Sequence, residues 1–101
     1  MLEKTLQSKV LKYLNSIEGC IAENMQGNTF SRGKPDINAC YMGRCIRIEL
    51  KSPDNNNKPT KIQLENLQKW RKAGALAFWT NNIEDVEKVM MSLKSSHEGL
   101  I

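Results

Sequence analysis

Two short stretches of this 101-residue chain hold the side chains best suited to chemistry: Gly33-Lys34-Pro35-Asp36 and, a dozen residues on, Ile48-Glu49-Leu50-Lys51. Either piece alone is commonplace, since Pro-Asp is a frequent turn dipeptide and Glu-x-Lys often marks a solvated strand. Their spacing and parity carry the signal. Residues 36–41 and 44–51 both alternate polar with apolar, the period of a half-buried strand, and Met42-Gly43 supplies a turn between them. Ile37, Ala39 and Tyr41 then share a face with Ile46, Ile48 and Leu50, while Asp36, Asn38, Arg47, Glu49 and Lys51 share the other. A shared face demands a loop of even length, and the two-residue choice sets Asp36 across from Glu49. Because Met fits poorly where φ is positive, a bulged or four-residue loop is the alternative. Carboxylates roughly 4.5–5.5 Å apart repel by about 1–4 kcal/mol, so a divalent cation between them would turn repulsion into a binding site. Lys51 lies on the same side, about 6.6 Å along the strand. Such a set suits metal-assisted hydrolysis of a phosphodiester.

The elements that must position this hairpin can be read on either side of it. Leu2, Leu6, Val10, Leu14 and Ile17, with Leu11 and Tyr13 alongside, follow helical spacing over residues 2–17, and Gly19 ends that helix. Cys20-Ile21-Ala22-Glu23 reads as a short strand. Residues 24–33 form a loop rich in Asn, Gly and Ser, placed where it could touch substrate. Residues 52–59 are irregular. Thr60 then caps a helix through the Thr-x-x-Gln form of a capping box and the helix runs to about Ala73, stopping at Gly74. Gln63, Leu67, Trp70 and Gly74 fall on one stripe, so Gln63 either only caps its helix or also reaches the site. Residues 75–80 are continuously apolar, as in a strand buried on both faces at the end of a βαβ crossover. Asn82 starts a last helix over residues 83–94, with Val86, Val89, Met90 and Leu93 inward. His97 stands alone in a polar tail and reads as inert. The order is αβββαβα, an α/β domain with a mixed sheet flanked by helices.

With 40% hydrophobic residues, residues 1–101 make one domain with one modest core, over about residues 2–94. No apolar run spans a membrane, and the early Glu3 stands where a signal peptide needs a basic start, so a cytoplasmic protein is expected. Cys20, Cys40 and Cys45 lack zinc spacing and read as reduced thiols, though Cys40 and Cys45 could face each other across the hairpin. The +4 net charge is unevenly spread: residues 32–72 hold ten Lys and Arg against four Asp and Glu. Arg32, Lys34, Arg44, Arg47, Lys58 and Lys61 would attract a phosphate backbone without reading bases. Lys69, Arg71 and Lys72 would do so too or merely solvate a helix face. No RNA-reading aromatic platform is visible.

From about Glu3 to Val89 the chain resembles the VRR-NUC (virus-type replication-repair nuclease) domain of the PD-(D/E)XK nuclease superfamily. The resemblance rests on Glu3 and Gln7, on Gly33-Lys34-Pro35-Asp36 and Ile48-Glu49-Leu50-Lys51, and on Thr60, Gln63 and Gly74. It implies a restriction-endonuclease-like core and a Mg²⁺ or Mn²⁺ ion held by Asp36, Glu49 and the Leu50 backbone carbonyl. Glu3 would be an auxiliary acid, set close to the chain start, and Lys51 would position or activate the attacking water. With Gln63 beside Asp36, Glu49 and Lys51 in the catalytic set, and Arg32, Lys34, Arg47, Lys58 and Lys61 on DNA, the expected activity is a metal-dependent deoxyribonuclease. Its products would end in 5′-phosphate and 3′-hydroxyl. Branched, nicked or flapped DNA, Holliday junctions included, is the expected substrate, in phage or bacterial replication, repair or recombination. The resemblance further implies a homodimer, with no organic cofactor. The alternatives are a non-catalytic DNA-binding subunit that retains the fold and a protein-interaction module. The intact Asp36, Glu49 and Lys51 set argues against the first, since a pure binder has no reason to keep opposed acids, and the second would need an exposed apolar patch that the sequence does not show.

Overall fold

The computed structural model describes residues 2–25, 33–54 and 56–99. Along the chain come α1 (Glu3–Asn15), β1 (Cys20–Asn24), β2 (Ile37–Tyr41), β3 (Arg44–Leu50), α2 (Lys61–Lys72), β4 (Leu76–Thr80) and α3 (Ile83–Gly99). This is the αβββαβα order that the periodicity predicts. The sheet runs β1-β2-β3-β4, antiparallel at the first two junctions and parallel at β3–β4. It is therefore mixed, and α2 is the crossover between its two parallel strands.

The strand alternation decides which face each helix covers. Ile37, Ala39 and Tyr41 of β2 and Ile46, Ile48 and Leu50 of β3 are buried together with Leu6, Val10 and Leu14 of α1 and Val86 and Met90 of α3. That face holds the core. On the opposite face α2 packs across β3 and β4, burying Leu67. Among the described residues no helix covers the outer face of β1, where Ile21 is 70% exposed.

Chain-length details depart from expectation where capping or pairing overrides pattern. Leu2 continues the apolar spacing of α1, yet it is the N-cap and is 74% exposed, outside the buried stripe of Leu6, Val10 and Leu14. The strand over residues 75–80 was expected to be buried on both faces. Among the described residues it is instead an edge strand, and Leu76, Phe78 and Trp79 are only half-buried. α3 continues past residue 94 to Gly99, so His97 lies on a helix and meets Tyr41 edge-on, with ring centroids 6.1 Å apart. At the other sheet edge, the Asn15 amide donates to Ala22 O at 3.0 Å and accepts the Ala22 N–H at 2.9 Å. One side chain thus occupies part of the free edge of β1.

The hairpin turn takes its two-residue form. Both Met42 (φ +48°) and Gly43 (φ +86°) are left-handed, as a type I′ turn requires. Met42 tolerates this because its N–H donates to Gly19 O at 3.0 Å and its side chain lies over Gly19, where a Cβ would come within 2.4 Å of Met42 Sδ. The thiols of Cys20, Cys40 and Cys45 are free, and Cys40 and Cys45 are register partners. No helix among the described residues is long and apolar enough to cross a membrane.

Candidate active site

Register fixes the first pair of site residues. β2 and β3 pair Ile37 with Ile48, so one step further along the hairpin Asp36 stands opposite Glu49, as the alternation predicts. The Asp36 carboxylate is turned toward the end of β3, where its Oδ2 accepts the Leu50 N–H at 2.8 Å. Its own carbonyl accepts the Met25 N–H at 2.8 Å, which ties the end of β1 to the site.

Gly33 explains how the approach to Asp36 is held. At φ +78° it takes a conformation that suits glycine, and a Cβ there would lie 2.3 Å from Ile62 Cγ2 and 2.8 Å from Asn66 Nδ2. The segment entering the site therefore rests directly against α2, with no room for a side chain. α2 in turn brings Gln63 to Glu49: Gln63 Nε2 donates to Glu49 Oε2 at 3.1 Å. The same amide completes the capping box, its Oε1 accepting the Thr60 N–H at 2.9 Å while Thr60 Oγ1 accepts the Gln63 N–H at 3.2 Å. The two roles open to Gln63 in the sequence are filled together.

Among the described residues Glu49 is the most unusual ionisable group. It is 1% exposed, on the sheet face that α2 covers, and its Oε1 is buried without a hydrogen-bond partner. Burial, then the charge of Asp36, push its pKa from 4.5 up to about 8, against the smaller pull of Lys51. Lys51 Nζ lies 3.6 Å from Glu49 Oε2. A buried acid with one oxygen unserved and a second acid opposite is set to take a proton at neutral pH or a cation in its place. The donors are carboxylate oxygens, the chemistry of hard ions such as Mg²⁺ and Mn²⁺, so the residues present fit the expected metal. Leu50, between Glu49 and Lys51, is buried at the end of β3.

Glu3 is half-buried in the first turn of α1, and its pKa is raised by burial and by Asp36, with Lys51 pulling the other way. The helix start thus sits within electrostatic reach of the pair. Among the described residues, however, no three His, Cys, Asp or Glu side chains gather into one metal-holding group. The acids at the centre are two, with Glu3 beside them.

The cations divide differently from the expectation. Lys34, Lys58 and Lys61 are exposed, as phosphate-binding groups should be. Arg47 is not free in that way. Its guanidinium lies 4.1 Å from the Trp70 ring centroid and donates to Ile46 O at 2.8 Å and Ala39 O at 3.4 Å, so it fastens α2 to the sheet. Arg71 is similarly engaged, donating to Ala77 O at 2.7 Å. Arg32, and most of the loop expected to touch substrate, lie outside the described residues. Trp79, which the sequence reading did not place here, is the β4 register partner of Glu49. A continuously apolar strand gives no sign of which side chains face the site, so only the register reveals it.

No family model and no curated protein sequence matches the chain. Solved structures do. One described as a "VRR_NUC domain protein" superposes with a TM-score of 0.72 at 20% identity, covering 91% of this chain and 87% of that one. Another, a "VRR_NUC domain", gives 0.72 at 24% identity, covering 90% of this chain and 96% of that one. Across about nine-tenths of its length, this chain has the fold of the VRR_NUC domain structures.

Proposed function

We propose that this protein is a Mg²⁺- or Mn²⁺-dependent nuclease that hydrolyses DNA phosphodiester bonds, acting on branched, nicked or flapped DNA, Holliday junctions among them. The observation that carries the reading is Glu49: buried, opposed to Asp36, flanked by Lys51, and left with one oxygen unserved. A metal-free structural role for such a pair has no stabilising rationale, because removing the charges would relieve both desolvation and repulsion. Asp36 and Glu49 would hold the cation, with the Leu50 carbonyl and Glu3 as further oxygens. When bound, the cation supplies Lewis-acid stabilisation of charge developing on the phosphate. Lys51, beside Glu49, would hold and orient the attacking water in line with the phosphorus, leaving a 5′-phosphate and a 3′-hydroxyl. Gln63 fixes the Glu49 carboxylate. Exposed Lys34, Lys58 and Lys61 would bind flanking phosphates, which favours DNA affinity without sequence preference. Two copies acting together would place two such sites on two strands.

The test is cleavage of a panel of labelled DNA forms with Mg²⁺ or Mn²⁺ against EDTA, with Asp36→Asn and Glu49→Gln as controls. Cleavage by wild type alone supports the proposal. Wild-type activity in either folded variant would defeat the site assignment. DNA binding by a wild type that cuts nothing under these conditions would favour a non-catalytic binding subunit.

A further inference from the structure

Immediately before Asp36, the chain lines a cavity of about 400 Å³ between the entry to β2 and the face of α2. Lys34 and Pro35 form one side, Asn38 continues it on β2, and Asn66, Lys69 and Trp70 of α2 form the other. The volume is that of a small-ligand site. Two lysines and no carboxylate line it, so its charge favours an anion. Trp70 supplies an aromatic surface that is held in advance, because Arg47, which does not line the cavity, grips the ring at 4.1 Å from its centroid. The two amides are oriented as well. Asn38 Nδ2 points to Met25 Sδ at 2.9 Å and Asn66 Nδ2 donates to Ile62 O at 3.1 Å, and among the described residues nothing donates to either carbonyl oxygen. An aromatic ring, two acceptor oxygens and two ammonium groups match an aromatic base with an exocyclic amino group, carried on a phosphate.

We propose that this cavity holds one unpaired nucleotide of the DNA substrate, with its base against Trp70 and Pro35 and its phosphates on Lys34 and Lys69. The inference rests on the nuclease reading and adds to it the feature by which substrate is chosen. A base in intact duplex must be unstacked and unpaired to enter, which opposes binding. A base at a bulge, flap or branch point is already available. Lys34 and Pro35, which line the cavity, directly precede Asp36, so the bound nucleotide lies beside the Asp36 and Glu49 pair and brings the adjoining phosphodiester toward it. The acceptor oxygens of Asn38 and Asn66 favour adenine, cytosine and guanine over thymine, which lacks an exocyclic amino group.

The experiment is equilibrium binding by fluorescence anisotropy in EDTA, so that no cleavage enters the measurement. The probes are one labelled duplex with a single-adenine bulge, the same duplex with an abasic bulge, one with a thymine bulge, and the fully paired form. Wild type should bind the adenine bulge about tenfold more tightly than the abasic one, the scale of one base stacked on an aromatic side chain. Thymine should fall between them. In Asn66→Ala/Lys69→Ala the adenine-to-abasic ratio should drop toward one. Equal binding of adenine and abasic bulges by wild type would overturn the proposal, as would an unchanged ratio in the folded double variant. If the double variant does not fold, the exposed Lys69→Ala alone should still lower affinity for the bulges more than for the paired duplex. An absence of cleavage with Mg²⁺ or Mn²⁺ would count against the nuclease reading, whereas the base-to-abasic ratio tests the cavity alone.

Discussion

Glu49→Gln tests the electrostatics of the site before any DNA is added. The Glu49 carboxyl moves from 4.5 in an open environment to about 8 in the fold, through burial first and Asp36 second. Below pH 4.5 the folded and unfolded chains both carry its proton. Between 4.5 and 8 the folded chain keeps the proton and the unfolded chain loses it, so stability must fall as pH rises through that window. Above 8 the loss is complete. At 1.36 kcal/mol for each pKa unit, the whole difference is at most about 5 kcal/mol, and less where water reaches the ionised pair. Even a third of that is large beside the about 5–15 kcal/mol of a typical small domain. Glutamine keeps the shape and can still accept from Gln63, but it does not titrate. Urea denaturation of both proteins in EDTA from pH 5 to pH 9 should therefore show the variant gaining on wild type by upward of about 1.5 kcal/mol. Subtracting the two curves cancels the titrating groups that do not interact with Glu49, Glu3 among them. Mn²⁺ at pH 8–9 should restore wild type and leave the variant unmoved. A difference constant to within about 0.5 kcal/mol across the range, the usual scatter of additive effects, would refute the reasoning.

Lys51→Ala should lower the cleavage rate by about 100-fold or more with little change in DNA affinity, since its work on the water belongs to the transition state; single-turnover kinetics beside anisotropy will show it. Gly33→Ala should destabilise the fold by about 1–3 kcal/mol through a left-handed alanine and its overlap with Ile62; Ile62→Ala in the same chain should recover part of that loss in thermal melts. Lys58→Ala and Lys61→Ala should each weaken binding to every DNA form and reduce the salt-dependence slope by about one, read from titrations at several ionic strengths.

The hairpin was legible because both of its strands alternate, and alternation fixes face, register and turn length together. Asp36, Glu49 and Lys51 follow from that without further information. The capping box gave the start of α2 in the same local way. Interactions between elements were not legible. Arg47 looks like any exposed strand cation until α2 lays Trp70 upon it, and the face of Trp79 is set by which strand β4 pairs with. The apolar run of β4 suggested a strand buried on both faces, yet a partly buried strand at the edge of the sheet produces the same composition. Met42 in a left-handed turn was disfavoured by its own propensity and allowed by the bare backbone of Gly19, a contact between segments more than twenty residues apart.

The double use of Gln63 reaches beyond the carboxylate it touches. A capping box accepts glutamate as readily as glutamine at this position, and glutamate would place a third negative charge against a carboxyl that already resists ionisation. The choice of amide over acid at the start of α2 is thus made by a residue on a different element. The linkage also runs outward. A cation that displaces the proton from Glu49 gives Gln63 Nε2 a charged acceptor in place of a neutral one, and charge-assisted bonds are the stronger kind. Tightening that bond steadies the amide whose oxygen holds Thr60 N–H, and with it the first helical bond of α2, Leu64 N–H to Thr60 O at 3.0 Å. Amide exchange at Thr60, Gln63 and Leu64 should slow when the site fills, making the first turn of α2 a built-in gauge of metal occupancy, readable by hydrogen-exchange NMR with no substrate present.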